Sequence, residues 1–145
     1  MNFKKPSLEA EFAELHPDAS RLVHKLDDWS FEQKLPPVVV THVKRTVDDQ
    51  ERIYTPVLMK NTGMPEKKCR ELARQRFSWH LVLCAVDLRN IHYTDEERLR
   101  VMGFLRSNLG PMAERFELLE HDVGRGDHIH IGIKDQDWRR LHRPI

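Results

Sequence analysis

The sequence predicts an α+β fold: a small antiparallel sheet with helices packed on one face. Apolar residues in the N-terminal part recur at helical spacing, as Leu8, Phe12 and Leu15 show. Short β-branched segments follow, and they are near neighbours along the chain, which favours antiparallel pairing. With 145 residues the chain is long enough for one core, so we expect a single domain over residues 1–145.

The N-terminal part predicts two helices. The first spans Leu8 to Leu15 and is interrupted by Pro17. Asp18 can cap a second helix. The apolar face of that helix carries Leu22, Leu26 and Trp29. We expect both helices to pack on the sheet without chemistry of their own.

The middle of the chain predicts two strands with a helix between them. PPVVVTHV, residues 36–43, is rich in β-branched side chains, and HLVLCAVDL, residues 80–88, has the length and composition of a buried strand. Thr46 begins the helix, which we expect to end near Thr55 because Pro56 cannot donate a helical hydrogen bond.

The C-terminal part predicts a helix and a hairpin. Thr94 begins a helix that ends at Gly110. FELLEHDV and HIHIGI then form a hairpin-like pair around the turn Gly124–Gly126.

Composition excludes several partners. Charged residues make up 32% of the chain and hydrophobic residues 39%, as in ordinary globular proteins. A formal net charge of +1 gives no electrostatic reason to expect a nucleic acid. No apolar run approaches the roughly 20 residues that span a bilayer, so we expect no membrane insertion. We also expect a monomer.

The N-terminus MNFKKPSLEAEF lacks the apolar stretch of a signal peptide. We therefore expect synthesis in the cytoplasm, with release or export needed before any action on a cell wall. The only two cysteines, Cys69 and Cys84, predict neither a disulfide framework nor a thiolate zinc site.

Two histidines of the last strand are the first sign of a functional site. Residues two apart in a strand share a face, so His128 and His130 point the same way. The opposite, core-facing side carries Ile129, Ile131 and Ile133. Such a pair is typical of metal or acid–base sites, and it also occurs in half-solvated strands with neutral histidines.

A second set of candidate ligands lies upstream in SWHLVLCAVD, residues 78–87. A buried carboxylate such as Asp87 is costly unless it is paired or binds a cation, although the residue can also be a capping or loop aspartate. His80, Asp87 and His130 together offer two nitrogens and one oxygen. That set suits a tetrahedral Zn²⁺ with a fourth position for water.

These spacings resemble the zinc D-Ala-D-Ala metallopeptidases, which include D-alanyl-D-alanine carboxypeptidases and dipeptidases, phage L-alanyl-D-glutamate endopeptidases and the Hedgehog signalling domain. His130 matches the last ligand of the family. Its first motif, SxHxxGxAxD, is matched at four positions: Ser78, His80, Ala85 and Asp87.

A third element extends the resemblance to residues 36–133. The family carries Y-R-[ST]-x-x-x-Q after its first core strand, and VKRTVDDQ supplies three residues in the same register: Arg45, Thr46 and Gln50. Two positions depart from the family, because Lys44 replaces its aromatic residue and Leu83 replaces the glycine of its first motif.

The resemblance implies an enzyme in which zinc activates a water and polarises the scissile carbonyl. Asp127, three residues before His130, occupies the position of the family's general base. Arg45 is implied to hold the oxyanion or a substrate carboxylate, and His128 to donate a hydrogen bond to the tetrahedral intermediate. The plainer alternatives are an exposed arginine at a helix start and a solvent histidine.

The leading hypothesis is a zinc peptidase of the phage or prophage lysis type. It would cleave a D-Ala-D-Ala or L-Ala-D-Glu amide in the peptidoglycan stem peptide. One alternative is a zinc-binding interaction module of the same fold without catalysis, which Leu83 and the short Asp127 favour. The other is a cupin-like metal enzyme, because GRGDHIHIGI also resembles a cupin metal strand.

Overall fold

The computed structural model describes residues 1–121 and 127–142; the predicted turn Gly124–Gly126 lies outside them. The helices are α1 Ser7–Ala13, α2 Pro17–Glu32, α3 Val47–Thr62, α4 Glu66–Gln75, α5 Asp95–Ser107 and α6 Gln136–Leu141. The strands are β1 Asn2–Phe3, β2 Val39–His42, β3 Ala85–Arg89, β4 Phe116–His121 and β5 His128–Ile133. Short 3₁₀ helices occupy Trp79–Val82 and Gly110–Arg115.

The strands form one five-stranded sheet in the order β1-β2-β3-β5-β4, which confirms the α+β prediction. Strands β2, β3, β5 and β4 pair antiparallel, as expected. The two-residue strand β1 pairs parallel to β2, so the sheet is mixed. A parallel pair needs a long crossover, and α1 with α2 supplies it. In the described part of the chain, no helix has the length and apolarity to cross a membrane.

One face of the sheet forms the core, as the alternation in HIHIGI predicts. The three isoleucines of β5 are buried together with Val86 and Leu88 of β3. Apolar side chains of α1, α2 and α5 complete the same cluster. Burying each isoleucine contributes about 1.5–3 kcal/mol. This packing fixes which side of β3 and β5 is left for polar side chains.

Helix α3 continues past Pro56 to Thr62, so the expected end near Thr55 is wrong. The proline removes one helical hydrogen bond, which costs about 3 kcal/mol in a helix interior. Tertiary contacts offset this cost, because α4 packs along α3. Arg70 and Arg74 of α4 also form ion pairs with Glu51 of α3. The helix ends at Gly63, whose φ of 69° suits glycine.

The predicted strand over residues 80–88 is shorter than expected. Its first part is the 3₁₀ helix Trp79–Val82, and β3 begins only at Ala85. Leu83 lies between them with φ 58° and ψ 33°, in the left-handed region that favours glycine. The position where the metallopeptidase motif has glycine therefore has a glycine-like backbone here. This sharp turn sets His80 beside β3 instead of in it.

Candidate metal centre

The candidate site lies on the polar face of β3 and β5. Asp87 and His130 are directly opposite each other in the antiparallel register, so their side chains share a face. The 3₁₀ helix brings His80 to the same place. All three side chains are buried, with 2% of His80, 5% of Asp87 and 4% of His130 exposed. The structure thus brings together the three predicted ligands, and they form a group that can hold a metal ion.

Two of the separations between the donor atoms are close to those of metal ligands. Asp87 Oδ1 lies 3.1 Å from His80 Nε2 and 3.0 Å from His130 Nδ1. Bonds of about 2.0–2.1 Å around a tetrahedral zinc place neighbouring ligand atoms about 3.3 Å apart. These two separations are within a few tenths of an ångström of that value, and the three donor atoms all lie within 4.8 Å of one another.

The hydrogen bond of His80 to the main chain fixes its tautomer. Its Nδ1 lies 2.7 Å from the carbonyl oxygen of Val43, which can only accept, so Nδ1 carries the proton and donates. Burial lowers the pKa of His80 despite the nearby Asp87 carboxylate, which leaves the ring neutral. Its Nε2 lone pair therefore faces a carboxylate oxygen. Two acceptors in such close contact favour a cation between them.

His130 is oriented by Glu117 of β4. Its Nε2 donates to Glu117 Oε1 at 2.8 Å, which directs Nδ1 towards Asp87. Burial disfavours a charged His130, but the hydrogen bonds to the two carboxylates outweigh burial and raise its pKa to about 9. A divalent cation and a proton on Nδ1 compete for the same lone pair. Histidine ligands of metals commonly have such a carboxylate partner on the other nitrogen.

The carboxylate of Asp87 stays ionised in this environment. Burial favours its neutral form, but the adjacent imidazoles of His80 and His130 hold its pKa well below the usual range. The sequence predicts that a buried Asp87 needs partners, and imidazoles contact it from two sides. His128 adds a third, with Nε2 3.5 Å from Asp87 Oδ2.

Sequence reasoning missed Glu117, whose position depends on a glycine in the neighbouring strand. Glu117 pairs with Gly132 across β4 and β5. A Cβ at Gly132 would lie 3.1 Å from His130 Nε2 and 3.4 Å from Glu117 Cβ, so glycine leaves the space in which these side chains meet. Two features of the sequence could have predicted this contact: the glycine in HIHIGI, and the position of the glutamate between apolar residues in FELLEH.

Sequence reasoning also missed His42, because it treated this residue only as part of the strand PPVVVTHV. It is the register partner of Asp87 on β2. Its ring contacts the His80 ring edge to face, with centroids 4.9 Å apart. His42 therefore helps to restrict the orientation of the His80 imidazole.

Asp127, the predicted base, is exposed and immediately precedes β5. The hydrogen bond that Arg98 donates to the Asp95 carboxylate is the main cause of the raised pKa of Arg98, and the charge of Asp127 adds to it. The charge of Asp127 thus interacts with Arg98 of α5, a helix that packs on the isoleucine side of the sheet. Its role as a base stays a prediction.

A cleft of about 310 Å³ adjoins the candidate ligands. Besides His80 and His130, its walls include Arg45, Tyr54, Arg76, Trp79 and Glu117. Arg45 is only 3% exposed. Its Nη1 donates to Gln50 Oε1 at 3.3 Å and Ser78 Oγ at 3.4 Å, whereas its buried Nε has no hydrogen-bond partner among the residues that the structure describes. The arginine singled out by the motif therefore lies in the same cleft as the ligand group.

We expect His80→Ala and Asp87→Ala each to abolish stoichiometric metal binding, because each removes one of three donor atoms. The zinc content of purified protein after dialysis, measured by elemental mass spectrometry, should fall from about one ion per chain to near zero. His24→Ala is the control, since His24 is exposed on α2. Unchanged zinc content in both ligand variants would rule out this site.

We expect Glu117→Gln to weaken metal binding about 10–100-fold, because the neutral amide polarises His130 less than the carboxylate does. Competition with a chromophoric chelator measures the change. Glu120→Gln is a matched control, because Glu120 pairs with Ile129 and lies on the opposite face of β4. Equal affinities of the two variants would contradict an orienting role for Glu117.

No known protein family, no curated protein and no solved structure matches this chain. The resemblance to zinc D-Ala-D-Ala metallopeptidases therefore rests on the motif positions, and the function has to be argued from the geometry of the site.

Proposed function

We propose that this protein is a zinc-dependent peptidase that hydrolyses an amide bond in the peptidoglycan stem peptide. One observation carries the proposal: the buried group His80, Asp87 and His130 adjoins a cleft in which Arg45 is a buried cation. In the described part of the chain, no carboxylate forms an ion pair with Arg45. A group that can hold a metal thus lies beside a group that can hold an anion.

The donor set favours zinc among common divalent cations. Two imidazole nitrogens and one carboxylate oxygen suit Zn²⁺, whereas Mg²⁺ and Ca²⁺ prefer oxygen ligands throughout. Three protein ligands also match catalytic zinc sites, which keep one position for water or substrate. Zinc bound there supplies a Lewis acid that activates water near neutral pH and polarises a carbonyl.

Arg45 supports a substrate with a carboxylate near the cleaved bond. An uncompensated buried cation costs several kcal/mol, and a bound carboxylate offsets part of this cost. Gln50 and Ser78 hold the guanidinium in a fixed orientation, which suits bidentate binding. The motif positions shared with the metallopeptidases support a wall peptide as that substrate, reached after release or export of the protein.

The remaining side chains have distinct roles in this proposal. Glu117 orients His130 and directs its Nδ1 towards the metal position. His128, which is buried beside Asp87, donates a hydrogen bond to the oxyanion in this proposal. Asp127 accepts the proton of the attacking water and passes it to the leaving amine.

A metal-binding interaction module without catalysis is the second candidate. It is favoured by the exposure of Asp127 and by the interaction of its charge with Arg98 of α5. The cupin-like alternative has no support in the described residues, where helices and a single five-stranded sheet replace the many strands that it predicts.

We expect zinc-loaded protein to hydrolyse purified muropeptides into two products, one with a new carboxyl terminus and one with a new amino terminus, and a chelator to prevent this. Mass spectrometry of digests from walls with diaminopimelate and with lysine identifies the bond. His80→Ala protein serves as the matched inactive control. Intact muropeptides in the presence of fully zinc-loaded protein would reject the peptidase and favour the interaction module.

We expect Asp127→Ala to keep its zinc and lose at least about 100-fold in kcat, the usual effect of removing a general base. Steady-state hydrolysis together with zinc analysis measures both quantities. Asp137→Ala is the control, because Asp137 is an exposed aspartate on α6. Wild-type hydrolysis by Asp127→Ala would show that another residue acts as the base. The next candidate would be Glu117, a carboxylate that lines the cleft.

A further inference from the structure

A second cavity lies at the C-terminal end of α2, and it shares no lining residue with the cleft beside the candidate ligands. Its volume is about 490 Å³. The chain turns back after α2 at Lys34, whose φ is 56°, and the amide of Leu35 donates to the carbonyl of Ser30 at 2.9 Å. This turn brings Leu35 and Pro37 into the cavity wall beside the last turns of the helix.

The charged side chains that line this cavity are negative. They are Asp27, Asp28 and Glu32, and no lysine or arginine lines it among the residues that the structure describes. Asp27 pairs through Oδ1 with the amino group of Met1 at 2.9 Å, whereas Asp28 and Glu32 form no ion pair within the described residues. All three belong to the last two turns of α2, where the helix dipole already places partial negative charge. The cavity therefore has two uncompensated negative charges at an unfavourable position, which a bound cation would stabilise.

A buried hydroxyl is an independent sign of a ligand. Ser30 lines the same cavity and is only 1% exposed. Its Oγ is buried and has no hydrogen-bond partner among the described residues. Such a group is unfavourable, because it has lost its contacts with water without replacing them. A ligand that donates an N–H satisfies it.

The other walls favour an organic cation over a metal ion. Phe31, Leu35 and Pro37 line the cavity, and Phe31 is 87% exposed. An alkyl chain can pack on these side chains, and an aromatic ring also attracts a cation, whereas a metal ion gains little from them. The carboxylates of this cavity do not converge as metal ligands do: within the described residues, only the group of the candidate metal centre has that geometry.

The ring of Phe31 separates the polar groups of the cavity into two sets. With about 3.6 residues per turn, Ser30 and Asp27 lie on one side of Phe31 around the helix, and Asp28 and Glu32 lie on the other side. Asp28 and Glu32 are one turn apart and therefore neighbours on the helix surface. Each set can accept from a separate ammonium group.

We propose that this cavity binds an aliphatic diamine. One ammonium group donates to Ser30 Oγ and to the second oxygen of Asp27, and the other ammonium group lies between Asp28 and Glu32. The alkyl chain between them packs across Phe31. Two positive charges on the ligand match the two carboxylates that have no counter-charge, so the occupied cavity is neutral.

Two amines of the same chain length test the proposal: 1,5-diaminopentane, with two ammonium groups, and n-pentylamine, with one. We expect wild-type protein to bind the diamine about three- to tenfold more tightly, in chemical-shift titrations that follow the backbone amides of residues 27–35. The double variant Asp28→Asn/Glu32→Gln should lose this preference, because it removes the carboxylates that bind the second ammonium group. The matched control is Glu71→Gln/Glu96→Gln, which removes the same charge at exposed positions on α4 and α5 and should keep the preference.

Ser30→Ala separates the ligand contact of the hydroxyl from any role in folding. It should weaken the binding of both amines at least about threefold without lowering the melting temperature of the free protein, because the hydroxyl has no partner to lose. Binding of neither amine, equal binding of the two, an unchanged preference in Asp28→Asn/Glu32→Gln, or wild-type affinities in Ser30→Ala would each overturn the proposal. Loss of the preference in the control double variant would also overturn it, since the diamine would then respond only to the net charge of the protein.

Discussion

The carboxylate of Asp87 is the constraint on which the rest of the site depends. A buried carboxylate without partners is strongly unfavourable, and this one is almost completely removed from water. Imidazoles from the 3₁₀ helix and from β5 surround it, and each has its outer nitrogen engaged by another acceptor, Val43 for His80 and Glu117 for His130. Their inner nitrogens consequently converge on one carboxylate oxygen, which is the arrangement that a cation stabilises.

The fold holds this arrangement through the backbone of the 3₁₀ helix. The carbonyl of His80 accepts from the amide of Arg45, and the carbonyl of Val82 accepts from the indole of Trp138 at 2.7 Å. The carbonyl of Leu83 accepts from the amide of His16. Contacts from three distant segments thus fix a turn whose left-handed residue is not glycine. The sheet contributes rigidity from its other side, where the isoleucines of β5 are buried.

The negative and positive side chains of the site lie in different places. The carboxylates Asp87 and Glu117 surround the histidines, whereas Arg45 and Arg76 lie together on Tyr54. In the function that we propose, the metal site and the guanidinium of Arg45 would contact different parts of the substrate peptide.

The sequence by itself determined the features that depend on local periodicity and local hydrogen bonds. Alternation in HIHIGI put His130 on the polar face, and the capping boxes at Thr46 and Thr94 began α3 and α5 as expected. Two side-chain contacts depend on the tertiary structure: the hydrogen bond between Glu117 and His130, and the ring contact between His42 and His80. Two backbone features depend on it as well, the left-handed conformation of Leu83 and the continuation of α3 through Pro56. Strand register and long-range packing set these features, because they join residues far apart in the chain and outweigh local conformational preference.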